Sequence, residues 1–449
     1  MSLESLQSSA SSASSASSAS SASSASSASS ASSAMNGLTG YAGAIVNPAL
    51  TAAIESTRQY LVKSNVLTDT WSLSGKFFNA NDQDAYTSPL DDAGQLIRWQ
   101  PDCRATVLTF EAMAGISFGV KGDLATLFSP DVQGNPVPVI AMSRPRKAVL
   151  AQQSALVAQA ASSRLMPKSD DVASRDRLTE IGSQVVPPFA FWCAALPIHP
   201  DRMPRTIELI NLTLTMASLV EQRFKHALAV PRPHNFSPRV FPALLTPGHA
   251  SLPSGHATEA FAVSNILHLL MTSGNYPLAD KTELRKLLLA LAARIADNRQ
   301  VAGFHTPIDT IAGRLLGTTL AHYLAARCQN TKMTFIGEFP GATLSVDKIS
   351  NKLTPNALNE TGCELDPLDE SKNEDGICTI TQQTSIFNSS AALTWLWNRA
   401  CDEWGPAATM EWPIPAPAVV SEARFEVKRN GKSAVRTAVR PKGKAEAIQ

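Results

Sequence analysis

Three short segments carry residues whose types and spacing suit work on an anion. Residues 225–233 read K-H-A-L-A-V-P-R-P, residues 248–256 read G-H-A-S-L-P-S-G-H, and residues 299–309 read R-Q-V-A-G-F-H-T-P-I-D. Brought together, Lys225, Arg232 and Arg299 supply one ammonium and two guanidinium forks, a set that matches a tetrahedral oxyanion. Ser254 adds a hydroxyl donor, and Gly255 adds a backbone N–H that an anion can approach closely. Ser254 also stands where an N-cap should precede a helix, whose free N–H groups and dipole favour negative charge. His305 precedes a second helix start. There Thr306 fits the N-cap, Pro307 the first turn, and Asp309 the third position of a capping box, with Asp in place of Glu or Gln. Two helix N-termini, each with a histidine, then face one anion. His305 suits a nucleophile or an axial ligand, and His256 a general acid or base.

Each residue alone has a plainer reading. Lys225 near a helix end complements the helix dipole, Ser254 and Gly255 are ordinary turn residues, and a lone histidine is structural. Asp309 stays open between capping its helix and serving His305. The functional reading rests on all three spacings occurring together.

These residues need helices to hold them. Apolar positions at helical spacing predict helices over 148–164, 204–227, 258–271, 281–295 and 307–326, with another over 391–404. Pro204 and Pro307 suit first turns, while Pro231, Pro233, Pro247 and Pro253 punctuate the connection between two of these helices. A further helix is predicted over 47–61, with Asn47 as N-cap. With few alternating segments, the fold class expected is all-α, a helical bundle with a long loop-rich C-terminal region. Four regions are expected: a Ser/Ala tether over 1–34, a mixed helical and loop region over 35–145, a catalytic bundle over 146–335, and a loop-rich region with a basic tail over 336–449. Residues 8–34 repeat Ser-Ser-Ala, which has almost nothing apolar to bury. Residues 336–390 are polar, and the tail carries a hairpin signal at Asn430-Gly431.

The 39 basic and 38 acidic residues nearly cancel, which argues against a nucleic-acid partner and confines anion binding to a local cluster. Six scattered cysteines with no CxxC pair disfavour zinc and fit reduced thiols; Cys363 and Cys378 form the one pair worth checking for a bridge. No secretory signal and no membrane span is visible, so a cytoplasmic location is expected. His199, His226, His234, His268 and His322 read as bystanders.

Lys-x6-Arg-Pro, then Pro-Ser-Gly-His, then Arg-x5-His-x3-Asp, in this order, resembles the signature of the superfamily joining type 2 phosphatidic acid phosphatases, bacterial acid phosphatases and vanadium haloperoxidases. The motifs span 225–309, and the surrounding helices extend the resemblance to roughly 146–330. Asn298 departs from the Ser usual before the third-motif arginine, and Leu252 from the Tyr often found before the second motif. The resemblance implies that Lys225, Arg232, Ser254, Gly255, His256 and Arg299 contact the oxyanion, vanadate or phosphate. It implies that His305 is the vanadium ligand or the phosphoryl-accepting nucleophile, that His256 is the acid–base group, and that Asp309 orients His305.

Vanadate and phosphate share shape and charge, so the motifs do not separate the two chemistries. Length and the lack of spans lean toward the haloperoxidase branch, as does His249, seven residues before His256, where similar bromoperoxidases carry a second histidine. The expected reaction is vanadate-dependent oxidation of bromide or iodide by hydrogen peroxide, halogenating a small organic substrate, in a homo-oligomer of two or more copies. The alternative is an acid phosphatase or phosphotransferase working through a phosphohistidine at His305. A third reading is a non-catalytic scaffold that kept the site.

Overall fold

The computed structural model describes residues 56, 89–165, 172–186, 188–274, 276, 281–346, 378–404, 426–429 and 432–435. The expected tether over 1–34, all but residue 56 of the helix over 47–61, Cys363 and its possible bridge, and the basic tail beyond the hairpin strands lie outside these residues. The chain forms two units, Met1–Gly405 and Pro406–Gln449.

Ten helices are described: α1 (Pro101–Met113), α2 (Lys147–Leu165), α3 (Val172–Ser183), α4 (Phe189–Ala195), α5 (Pro204–Leu228), the four-residue α6 (Pro233–Phe236), α7 (Gly255–Ser273), α8 (Lys281–Val301), α9 (Pro307–Gln329) and α10 (Ala391–Asp402). α5, α7 and α9 lie close to their expected spans. α5 starts on Pro204, and the Glu403 carboxylate accepts from Arg205 N and Thr206 N at 2.7 Å each, which satisfies orphan donors of its first turn. It ends at Ala229, whose left-handed backbone (φ 48°) lets its N–H reach the Lys225 carbonyl. α8 runs six residues past its expected end. Its last turn, Asp297 to Gln300, is polar yet buried, so packing extends a helix that the apolar pattern alone would stop.

α7 is the central rod: residues 255–267 are all buried, as expected of a helix enclosed by neighbours. α5, α8 and α9 pack around it. α9 comes closest because Gly313 and Gly317 carry no side chain. A Cβ at Gly313 would lie 2.6 Å from the Ser254 carbonyl oxygen, and one at Gly317 would collide with the Thr258 carbonyl. Among the described residues, no helix is long and apolar enough to cross a membrane.

The all-α expectation needs correction. The described residues are 59% helical and 14% strand, and the strands form a real layer. A five-stranded sheet has the order β1 (Ser117–Lys121), β2 (Leu124–Pro130), β3 (Pro136–Ser143), β4 (Lys332–Phe339), β5 (Thr379–Ile386). Its pairs are antiparallel except β3 with β4, which is parallel. β1 and β2 are joined by Gly122-Asp123, a two-residue turn with Gly122 at φ 59°. β2 and β4 alternate buried and half-buried positions, the period of a strand with one covered face. β2 falls in the region expected to mix helix and loop, and β4 in a segment for which no strand is predicted. β4 continues across the region boundary expected at 335, and α9 packs on it. In the second unit, β6 (Glu426–Arg429) and β7 (Lys432–Val435) pair antiparallel with Arg429 opposite Lys432, which agrees with the expected hairpin about Asn430-Gly431.

Candidate active site

The three motifs converge at one end of the bundle. Lys225 comes from the last turn of α5, Arg232 from the cap of α6, Ser254 to His256 from the start of α7, Arg299 from the end of α8, and His305 and Asp309 from the start of α9. All are buried. Main-chain bonds lock the loops together: Ser251 N donates to the Val230 carbonyl (2.8 Å) and Ser254 N to the Asp309 carbonyl (2.9 Å).

The cations are held by carbonyls. Lys225 Nζ donates to the carbonyls of Pro253 and Ser251. Burial pulls its pKa down to about 8, against the opposing pull of Glu221. Arg232 Nη1 donates to the Phe304 carbonyl (3.0 Å) and Nε to the His249 carbonyl (3.3 Å). Arg299 Nη2 donates to the Ile181 carbonyl (3.1 Å) and to Gln184 Oε1 (2.9 Å). Burial lowers the Arg299 pKa to about 10, which still leaves it a cation at neutral pH.

Among the described residues, two donors in this cluster have no protein partner. Ser254 occupies the N-cap of α7, yet its hydroxyl makes no capping bond and its Oγ is buried and unpartnered; Arg299 Nε is likewise buried and unpartnered. Buried polar atoms are normally bonded, so orphan donors among three cations fit an oxyanion that would take them up.

The histidines are fixed differently. His305 Nδ1 lies 3.1 Å from Ser251 Oγ, which donates to Asp309 Oδ2 at 2.8 Å. Asp309 Oδ2 is 3.7 Å from His305 Nδ1, so the orienting link runs through Ser251. With the serine proton given to the carboxylate, the serine oxygen accepts from Nδ1–H, and Nε2 keeps its lone pair. Asp309 is also the cap foreseen: Oδ2 accepts from Thr306 N at 2.7 Å. Its two candidate roles are one geometry. His256 donates from Nε2 to the Gln184 carbonyl (2.8 Å), which leaves Nδ1 as its basic nitrogen. Burial first, then Arg299 beside His256 and Arg232 beside His305, hold both imidazoles neutral, with pKa values well below the ordinary histidine value.

His249 is half-buried. Its Nδ1 lies 3.0 Å from the Ala250 carbonyl and 3.4 Å from Arg232 Nη2, while Nε2 is buried without a partner among the described residues. Burial and the nearby Lys225 lower its pKa to about 4. Gly255 does more than bring a backbone N–H near: a Cβ there would lie 2.7 Å from Glu221 Oε1.

Sequence reasoning missed four residues. Ser251 sits within the quoted 248–256 segment, where a hydroxyl three residues before Ser254 was a usable signal. Glu221 and Glu259 are buried beside Lys225; burial pushes Glu221 up to about 7 and Glu259 well above the ordinary value. Glu221 stands one turn before Lys225, which was the available hint. Gln184 had no signal, because it lies far upstream of the motifs. Among the bystander histidines, His322 packs edge-on against Phe335, and His199 is exposed beside Asp201.

Residues 208–333 match the PAP2 superfamily, and this stretch of the chain is a PAP2 superfamily domain. Among solved structures, the chain is similar to a transmembrane PAP2 type phosphatidylglycerolphosphate phosphatase from Bacillus subtilis. The two share 19% identity over 40% of this chain and 85% of that one, with a TM-score of 0.32. Comparison with curated protein sequences gives no match.

Proposed function

We propose that the PAP2 superfamily domain of this chain hydrolyses or transfers phosphate monoesters through a phosphohistidine at His305. One observation carries the reading: His305 Nδ1 is backed by Ser251 and Asp309, while Nε2 makes no hydrogen bond among the described residues. A neutral imidazole fixed in that tautomer is a ready nucleophile.

Lys225, Arg232, Arg299, Ser254 Oγ and the first N–H groups of α7 bind the three non-bridging oxygens. His305 Nε2 attacks phosphorus in line with the ester oxygen; the P–N bond forms and the P–O bond breaks. The positive charge that develops on the ring is stabilised at Nδ1 by Ser251 and Asp309. The bound dianion offsets Arg299 and favours a proton on His256 Nδ1, which passes to the departing alkoxide. Water then attacks phosphorus, His256 Nδ1 takes the water proton, the P–N bond breaks and phosphate leaves.

A second reading, a vanadium haloperoxidase, is supported by His249 beside Arg232. The orphan donors on Ser254 and Arg299 fit vanadate as they fit phosphate. Lys225, Arg232, Ser254, Gly255 and Arg299 would hold it, and His305 would be its protein ligand. When bound, vanadate supplies a Lewis acid for oxidation of bromide or iodide by hydrogen peroxide. His249, with Nδ1 3.4 Å from Arg232 Nη2 and its pKa lowered to about 4, would stand neutral there with Nε2 as a hydrogen-bond acceptor.

Paired assays on the purified protein separate the two, one following phenolate release from an aryl phosphate and the other peroxide-dependent bromination of a dye, each with vanadate titrated in. The phosphatase reading expects ester hydrolysis that vanadate inhibits and His305→Ala abolishes. Bromination that rises with vanadate, without hydrolysis, would replace it with the second reading.

A further inference from the structure

We propose that Gln184 is a positioning residue, which orients Arg299 and His256 from outside the PAP2 superfamily domain and does so with uncharged acceptors, so that Arg299 keeps its full charge for the bound anion. The proposal rests on the oxyanion-site reading above and assigns a role to a residue that none of the three motifs contains.

Gln184 follows α3 directly and is fully buried. Its Oε1 accepts from Arg299 Nη2 (2.9 Å) and from Asn298 Nδ2 (2.9 Å), and its main-chain oxygen accepts from His256 Nε2 (2.8 Å). One residue therefore touches both a cation and the acid–base histidine. Its own Nε2 donates to Glu180 Oε1 at 3.1 Å, which sets the amide's orientation.

The neighbouring charges are sorted in a telling way. The carboxylate within reach, Glu180, is taken up by Arg294, with Nη2 at 2.8 Å and Nε at 3.1 and 3.2 Å, and by Asn298 Nδ2 at 2.8 Å. Arg177 Nε donates to Asn298 Oδ1 at 2.8 Å. Asn298, the position that departs from the family pattern, thus ties Glu180, Gln184 and Arg177 into one network. Arg299 is left facing two neutral oxygens, the Ile181 carbonyl and Gln184 Oε1. A carboxylate in place of that amide would orient Arg299 equally well but would neutralise part of the charge meant for the anion. Removing the acceptor would free the guanidinium to turn.

Calorimetric titration with inorganic phosphate and with orthovanadate tests this on the full-length protein and three variants: Gln184→Glu, Gln184→Met and the double variant Glu180→Gln/Gln184→Glu. Melting temperatures and steady-state kinetics on an aryl phosphate are measured in parallel. Gln184→Glu should bind both anions about tenfold more weakly, with KM raised by a similar factor and kcat changed less. Gln184→Met should also bind more weakly, through lost orientation. The double variant restores the 180–184 contact in reverse, with an amide donor at 180 and a carboxylate acceptor at 184, so its melting temperature should recover while its anion affinity stays low. Recovery of affinity together with stability would reduce Gln184 to a packing role and overturn the proposal. Wild-type binding that Gln184→Glu leaves unchanged would overturn it as well. A wild-type protein that binds neither anion would instead overturn the functional reading on which it stands.

Discussion

At the scale of single residues, the site works by deciding where each proton sits. His305 and His256 are both buried and neutral, but they are fixed through opposite nitrogens. In the proposed reaction one presents Nε2 as nucleophile, and the other keeps Nδ1 for proton transfer. Ser251 is the less obvious member, because it carries the link from Asp309 to His305 across a gap that the carboxylate does not span itself. Ser251→Ala should therefore lower kcat roughly ten- to hundredfold, the worth of one hydrogen bond to a charged group, with little change in KM. Thr306 would still occupy Asp309, so the fold should survive, and Ser251→Thr should retain most activity. Steady-state kinetics on an aryl phosphate give the answer; an unchanged kcat in Ser251→Ala would remove Ser251 from the relay.

At the scale of elements, the site depends on how closely two helix starts can approach. Ser254 on α7 and Thr306 on α9 each begin a helix, and the Ser254 N to Asp309 carbonyl bond clamps the two. Gly313 and Gly317 let α9 lie against α7, one under the first turn that carries Ser254 and the other a turn deeper. Either glycine replaced by alanine should cost about 1–3 kcal/mol by overpacking, measured by urea unfolding. Their functional effects should differ. Gly313→Ala pushes on the Ser254 carbonyl and should reduce activity at temperatures where the protein is still folded. Gly317→Ala pushes on Thr258 and should leave activity closer to wild type. Equal activity losses at equal stability would argue against this division of labour.

At the scale of the whole molecule, the site is a joint between segments that share little local structure. Residues from Gln184 to Asp309 meet in it, and the cations repel one another until an anion arrives. A bound oxyanion should therefore stabilise the entire first unit. At about a hundred times its Kd, a one-site ligand adds about 2.7 kcal/mol, which a thermal melt detects. Sulfate is a suitable probe, since its charge is constant between roughly pH 6 and 10 while side chains such as lysine titrate. Lys225 is charged below its lowered pKa of about 8 and neutral above it. The sulfate-induced rise in melting temperature should thus be full on the acid side and shrink as pH climbs through that value. A rise that stays constant into the alkaline range would mean that Lys225 does not contribute its charge.

Side-chain type and spacing along the chain marked the residues that could hold an anion and most of the helices near them. Lys225, Arg232, Ser254, Arg299 and His305 were legible because their chemistry is a matter of side-chain type, and the starts of α5 and α9 because proline and capping residues act within a few positions of themselves. The Thr306–Asp309 capping box was legible for the same reason. Tertiary structure alone decided the rest. The sheet was hidden because β3, β4 and β5 pair across long separations that no local period reports. The end of α8 was hidden because packing, not apolar spacing, buries Asp297 to Gln300. The detour through Ser251 and the grip of Gln184 were set by differences of a few tenths of an ångström in contacts between segments that meet only once the chain is folded. A hydrogen bond exists or fails on that scale, and the order of residues along the chain does not record it.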